Sequence, residues 1–314
     1  MIFAFALLVG AVAAGWTVPR RLWAADLRRH DPAVLIVAWL LSILGVVLAV
    51  VTGVVLLLVP SHGDAGALLV AIHHCWRSIQ HGSSPASEEF GGVVGVIVLA
   101  ALTVRLAVVG FRGIRRRARA RREHLAALRL AGRFDEGSPA TVWLAHERPL
   151  AFSLGGRGGV IVATEGLRRH LAGDGVAAVL AHERAHLRGR HHQLLALADA
   201  LRTAFPVVPL FQQAPAALRE LVEIAADVAA TRAHGPAAVR AALLCVSGRG
   251  APGRALAMAR DAVPLRLARL NRGTRPPGRA RRVASCGAAG IAAALVPFAV
   301  AGTVVIALAV AACP

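Results

Sequence analysis

Long apolar runs that alternate with arginine-rich segments dominate the pattern of this chain. A helix needs about 20 apolar residues to cross a lipid bilayer, and four runs reach or approach that length. They cover residues 1–18, 33–60, 91–111 and 284–312. The pattern therefore predicts a mainly α-helical integral membrane protein with four transmembrane helices at these positions.

The first apolar run could also be a signal peptide, with Ala11-Val12-Ala13 as its cleavage site. A signal peptide carries positive charge before its apolar run, whereas Arg20 and Arg21 follow this one. We therefore expect a retained span whose N-terminus lies outside the cell.

Arginine is distributed unevenly over the connecting segments. Residues 19–32 contain four arginines, and residues 112–283 open and close with arginine-rich stretches, whereas residues 61–90 contain only Arg77. Because positive charge accumulates on the inner side of a membrane, residues 19–32 form a cytoplasmic loop and residues 112–283 a cytoplasmic domain. The loop 61–90 and both termini are expected outside, as in a multi-pass protein of the cell membrane.

Composition agrees with this arrangement. The chain is 56% hydrophobic, with a mean hydropathy of +0.60, which is too apolar for an ordinary soluble protein. Its net charge of +19 could indicate nucleic-acid binding, but the arginines cluster beside the apolar runs, where they contact lipid headgroups. We expect membrane lipids as partners and no direct binding of nucleic acid.

The four cysteines divide along the same lines. Cys75 and Cys313 fall on the predicted outer side, where a disulfide can persist, and Cys245 and Cys286 fall inside or at the inner boundary, where thiols stay reduced. Cys75 and Cys313 either form a disulfide with each other or do not. Both alternatives stay open, because a sequence does not give the distance between the two residues.

The cytoplasmic segment combines helices with a few short strands. An arginine-rich helix at 112–132 is expected to leave the membrane and lie on its surface. A helix is predicted after Thr164, and another runs from about residue 175 to past Leu195. Short β-forming runs at 140–145, 150–154 and 160–163 predict a small antiparallel sheet. The domain is therefore of the α+β class.

The motif that indicates chemistry lies on the last of these helices, in the form HExxH. His182 and His186 are four residues apart, so both imidazoles project from one helical face and can share a metal ion. Glu183 lies beside them, where its carboxylate can take a proton from the attacking water. The motif predicts a zinc metallopeptidase with one Zn²⁺ per chain.

A catalytic zinc site needs a third protein ligand, and the sequence offers two main candidates. His192 completes the pattern HExxHxxGxxH, in which a glycine turn returns a third histidine to the metal. Glu223 begins an ExxAD pattern on a later helix, where Asp227 one turn on would hydrogen-bond a ligand histidine. Glu220 is a weaker third candidate.

Three features favour Glu223. The histidine pattern normally accompanies a methionine turn, and the only methionine after the first residue, Met258, has no recognisable turn around it. Residues 190–195 are typical of a continuing helix, which would carry His192 away from the metal. A role as metal ligand would also explain why an acidic residue, Glu223, lies in an otherwise alanine-rich segment.

The remaining catalytic roles are less well marked. Tyrosine is absent from the chain, so the oxyanion donor must be another residue, and Arg232 or His234 are candidates. Both could instead be cations placed near the C-terminus of a helix. The strand at 160–163 could pair with an extended substrate, as edge strands do.

These motifs resemble those of the BlaR/MecR-type membrane metallopeptidases and, more distantly, of the HtpX-like membrane proteases. The resemblance rests on the runs FSLGGRGGVIVATEGL, VLAHERAHLRGRHH, FPVVPLF and RELVEIAADVAA, and on a peptidase domain between the third and fourth spans. It implies a gluzincin-like domain that cleaves a cytoplasmic repressor, such as a winged-helix protein, or itself, after an envelope signal.

The resemblance leaves two alternatives open. BlaR/MecR sensors carry a penicillin-binding domain after the last span, whereas this sequence ends at Pro314, so direct sensing of β-lactams is not expected. An HtpX-like quality-control protease and a non-catalytic signal transducer are the alternatives to an antirepressor. Glu183 argues against the transducer, because a purely structural metal site does not need it.

Overall fold

The protein is mostly helical, with one small sheet. The computed structural model describes residues 2–24, 30–58, 85–135, 137, 139–156, 158–249, 255–272 and 278–312. Cys75, Cys313 and most of the loop 61–90 lie outside these residues, so the predicted disulfide stays a prediction.

Three apolar helices pack side by side: α1 (Ile2–Trp23), α2 (Pro32–Leu58) and α9 (Arg279–Ala312). Small residues allow the close approach, since a Cβ at Gly45 of α2 would collide with the backbone of Ala294 in α9. Together with α3 (Pro85–Ala131), these are the four described helices long and apolar enough to cross a bilayer. Length and composition therefore indicate a membrane protein.

Helix α3 continues through the arginine-rich segment without a break. Its apolar part contacts α2, and the arginine-rich part leads directly into the first strand. The predicted span at 91–111 and the predicted helix at 112–132 are therefore a single helix of 47 residues.

The sheet has four strands in the order β1-β2-β4-β3: β1 (Gly132–Asp135), β2 (Ala140–Leu144), β3 (Ala151–Leu154) and β4 (Val160–Thr164). β4 pairs with β3 as an antiparallel hairpin and with β2 in parallel, so the sheet is mixed and the antiparallel prediction was wrong. All five residues of β4 are buried, which suits a central strand. The strand expected to pair with substrate is therefore not at an edge.

The helices that follow are α4 (Glu165–His170), α5 (Gly173–Arg188) and α6 (His191–Ala204). The prediction of one helix running past Leu195 was wrong, because the chain breaks at Gly189 and Arg190. Arg190 has φ 49°, the only positive φ at a described residue other than glycine, and this left-handed turn redirects α6.

Two further helices complete the domain. α7 (Pro209–Arg249) crosses α5 and is kinked at Gly235, where φ is 78°. α8 (Ala255–Asn271) packs on α7. The hairpin of α6 and α7 shares a hydrophobic core with α1 and α2, centred on Trp39, Leu210 and Leu218, so the domain and the apolar helices form one packed unit.

Substitution of Gly45 tests the packing of α2 against α9. We expect Gly45→Ala to lower the unfolding temperature in detergent, because the added Cβ forces the two backbones apart, at a cost of about 1–3 kcal/mol. Gly302→Ala on α9 is the matched control, since nothing lies within 4 Å of its Cβ position. Equal unfolding temperatures for the two variants would contradict the packing.

Candidate metal centre

The crossing of α5 and α7 brings three metal-binding side chains together. His182 and His186 lie one turn apart on α5, and Glu223 faces them from α7. Their donor atoms all lie within 4.8 Å of one another. The two Nε2 atoms are 3.1 Å apart, and each lies 3.4 Å from one oxygen of Glu223. Of the residues that the structure describes, these form the one group with such geometry.

Each histidine is held from behind by its other ring nitrogen. Nδ1 of His182 lies 3.0 Å from Oδ1 of Asp227, which is the contact that the ExxAD pattern predicts. Nδ1 of His186 lies 2.9 Å from Nδ1 of His191. Both Nε2 atoms therefore point toward the carboxylate of Glu223, and the outer partners fix the ring orientations.

His191, which follows the histidine pair in the sequence and lies on α6, supports the site although its sequence position suggests no such role. It is only 8% exposed, and its ring packs edge-on against that of His186 with a centroid separation of 4.9 Å. The left-handed turn at Arg190 makes this possible, because it folds the start of α6 back onto the end of α5. No local signal in the sequence indicates such a turn at an arginine.

His192, the other candidate for third ligand, lies outside the cluster of three. Its ring centroid is 6.4 Å from that of His186, and its Nε2 lies 3.2 Å from Oγ of Ser153 in β3. The helix does break after Gly189, contrary to the argument used against His192, but the break places His191 against His186. Glu220 also lies outside the cluster.

Arg266, on α8, is a second residue of the site that sequence reasoning did not select. Its Nε and Nη2 donate to the two carboxylate oxygens of Asp227 at 2.6 and 2.7 Å, and its Nη1 lies 3.2 Å from Glu223. Its side chain is 11% exposed. In a chain whose arginines are numerous and mostly at the surface, nothing in the sequence distinguishes this one.

Charge compensation sets the protonation states in the site. Burial opposes charge on His182, but hydrogen bonds with Asp227 and Glu223 prevail and raise its pKa to about 10. Burial and the positive charge of His182 lower the pKa of His186 to about 3. Burial acts to raise the pKa of Glu223, yet contacts with His182 and Arg266 hold it at about 2. A neutral imidazole and an ionised carboxylate are the forms that bind metals, so His186 and Glu223 already have the binding form and His182 must release a proton when a metal ion binds.

Glu183 lies in the same groove but in a different environment. Burial raises the pKa of its carboxyl group, only partly offset by His182 and by a hydrogen bond with Ser153. The groove encloses about 380 Å³ and is also lined by Phe152, Leu195 and Arg266. It therefore combines metal-binding side chains, a carboxyl group suited to proton transfer and space for a ligand.

The two residues considered as oxyanion donors do not line this groove. Arg232 is exposed and lies outside the lining of the groove. His234 lines a separate cavity with Arg184 and Arg188. The reason is helical geometry, because His234 lies 11 residues beyond Glu223, or about 16 Å along the axis.

Residues 115–247 match the family model described as peptidase family M48. The match begins in the arginine-rich part of α3 and ends near the end of α7, so it covers about two fifths of the chain. No curated protein and no solved structure gives a significant match. Because M48 peptidases are metal-dependent and usually use zinc, the match supports a zinc metallopeptidase of this family.

Zinc content tests which residue is the third ligand. We expect about one zinc per purified wild-type chain, loss of most of it in Glu223→Gln, and retention in His192→Gln, because only Glu223 faces both imidazoles. Metal content by mass spectrometry after gel filtration in detergent measures this. Loss of zinc in His192→Gln with retention in Glu223→Gln would reverse the assignment.

Substitution of Asp227 tests the support behind His182. Asp227→Asn should weaken zinc binding by about 10–100-fold, because it removes the charge that orients the ring. The control is Asp199→Asn on α6, because the Asp199 carboxylate pairs with Arg219 of α7 at 2.6 Å and does not line the groove. Competition with a chromophoric chelator gives both affinities, and equal losses would show a general effect on folding.

Proposed function

We propose that the protein is a membrane-bound zinc metalloendopeptidase whose zinc ion is held by His182, His186 and Glu223. The observation that supports this most directly is the convergence of three donor atoms within 4.8 Å, in a groove that also contains Glu183. Two imidazoles and a carboxylate are a donor set of catalytic zinc sites, which leave one position open.

The donor set therefore fits zinc, and the other residues of the groove have separate tasks. Zinc at this position would act as a Lewis acid on a substrate carbonyl and make water more acidic. Asp227 and His191 hold the two imidazoles in place, and Arg266 holds Asp227. The guanidinium also balances the negative charge that the carboxylates of Glu223 and Asp227 bring into the site.

Glu183 is proposed as the general base and acid. A carboxyl group whose pKa is raised by burial works closer to neutral pH, where it can both accept and return a proton. It would take the proton from the attacking water and pass it to the leaving amine. Its hydrogen bond with Ser153 ties the carboxyl group to β3.

Strand β3 is proposed as the substrate platform in place of residues 160–163. Within the described sheet β3 pairs only with β4, so its second edge is free, and Ala151, Phe152 and Ser153 line the groove. An extended peptide can add to such an edge through backbone hydrogen bonds. Recognition of backbone suits cleavage within a chain, hence an endopeptidase.

The membrane placement and the biological substrate are proposed on the sequence. The distribution of arginine supports four spans with the peptidase domain, residues 112–283, in the cytoplasm and both termini outside. The resemblance to BlaR/MecR-type proteins supports signal-dependent cleavage of a cytoplasmic repressor or of the protein itself. An HtpX-like quality-control protease is the alternative.

Proteolysis by the purified protein tests the activity. We expect zinc-dependent cleavage of casein or self-cleavage in lipid nanodiscs, reduced about 100-fold or more in Glu183→Gln because proton transfer is lost, with zinc still bound. Glu220→Gln is the control, since Glu220 lies one turn from Glu223 but does not line the groove. Equal activity of Glu183→Gln and wild type would contradict the proposed role.

The substrate class can be tested in cells by comparing the cleaved proteins of wild-type and Glu183→Gln strains. One cytoplasmic protein cut at one site would support the antirepressor, whereas many membrane proteins degraded together would support quality control.

A further inference from the structure

The hairpin between α6 and α7 has a tip, residues 205–209, that lies among the apolar helices. We propose that this tip is a re-entrant membrane element, inserted into the lipid leaflet nearest the peptidase domain. The inference rests on the proposed membrane placement of α1, α2, α3 and α9. It assigns a lipid-binding surface to a part of the peptidase domain itself.

The first observation is a contact with α1. A Cβ at Gly15 would lie 2.9 Å from Cγ1 of Val208, so the tip touches the backbone of α1 at this level. Gly15 precedes Arg20, the first charged residue after the apolar run, by five residues. At 1.5 Å per residue, the contact lies about 8 Å inside the apolar part of the helix.

The second observation is a contact with α3. Nη2 of Arg105 donates to the carbonyl oxygen of Thr203 at 3.1 Å. Arg105 precedes Arg112, the first residue of the arginine-rich segment, by seven residues, so its backbone lies about 10 Å inside the apolar part of α3. Two independent helices therefore place the hairpin beside the apolar parts of α1 and α3, and the Arg105 guanidinium has a partner there.

The third observation is how the end of α6 satisfies its backbone. The last carbonyl groups of a helix lack partners within it, and in lipid no water can supply them. Here Nε2 of Gln212 donates to the carbonyls of both Arg202 and Phe205, at 2.9 and 3.1 Å. With Arg105 on Thr203, the protein provides donors that a helix end in water would not need.

The composition of the tip agrees with this environment. Residues 203–218 contain no charged side chain, Phe205 stacks on Phe211 with centroids 4.7 Å apart, and α7 begins at Pro209, which has no N–H to satisfy. Val207 is 80% exposed. At this depth beside α1 and α3, the medium in contact with Val207 is lipid acyl chains.

The hairpin also links the metal centre to the membrane. Glu223 follows Pro209 by 14 residues on the same helix, or at most about 21 Å. This length of helix therefore sets an upper limit on the distance between the metal centre and the lipid-inserted tip.

Site-directed fluorescence tests the proposal. In a background with all four cysteines replaced by serine, Val207→Cys is labelled with the environment-sensitive dye NBD and reconstituted into phosphatidylcholine vesicles containing doxyl-labelled lipids. Val12→Cys on the exposed face of α1 is the reference within a span. Glu147→Cys, at an exposed residue of the sheet domain, is the reference in water. Each variant must first elute as a monodisperse peak.

We expect the label at Val207 to emit at shorter wavelength than that at Glu147 and to be quenched by doxyl lipids several-fold more strongly, close to Val12. Quenching at Val12 but not at Val207 would overturn the re-entrant tip alone. Quenching of the label at Val207 by neither doxyl lipids nor iodide added to the water would point to a covering protein partner, and this result too would overturn the re-entrant tip. No quenching at Val12 would instead overturn the membrane placement on which the inference rests.

Discussion

The crossing of α5 over α7 is the contact on which the candidate site depends. It places a carboxylate from α7 against two imidazoles from α5 and partly encloses all three, with 36% of the Glu223 side chain still exposed. Enclosing charged groups is costly unless each has a partner, and here the partners come from elsewhere in the chain. Asp227 supports His182, Arg266 on α8 supports Asp227, and His191 on α6 supports His186. The site is therefore assembled by four helices.

The sequence predicted the parts of this site that depend on helical spacing. His182 and His186 share a face because they are four residues apart, and the same argument placed Asp227 one turn beyond Glu223. Long apolar runs likewise predicted the four candidate spans. Contacts set by chain reversals were missed. His191 depends on a left-handed arginine, and Arg266 reaches the site from a helix that begins 32 residues beyond Glu223.

The error in the sheet has a related cause. Three short strands in succession suggested a small antiparallel sheet, but β4 returns beside β2 in parallel, with β3 on its outer side. The central position of β4 follows from the burial of all its residues, which is known only from the structure. In the sequence, a run of four apolar residues is equally typical of an edge strand that packs against a helix. The consequence is functional, because the free edge beside the groove belongs to β3.

Several contacts tie the site to the apolar helices. Arg269, one turn after Arg266 on α8, donates to the carbonyl oxygen of His30 at 2.9 Å. The neighbouring Asp31 accepts two hydrogen bonds from Arg282 at the start of α9, at 2.7 and 2.9 Å. Together with the α6–α7 hairpin, these contacts join the metal centre and the apolar helices into one continuous structure. X-ray absorption spectroscopy of the zinc-loaded protein tests the central claim most directly. The account predicts two imidazole nitrogens and carboxylate oxygen around zinc, with the second-shell scattering of two histidine rings, whereas scattering from three rings or a complete absence of bound zinc would contradict it.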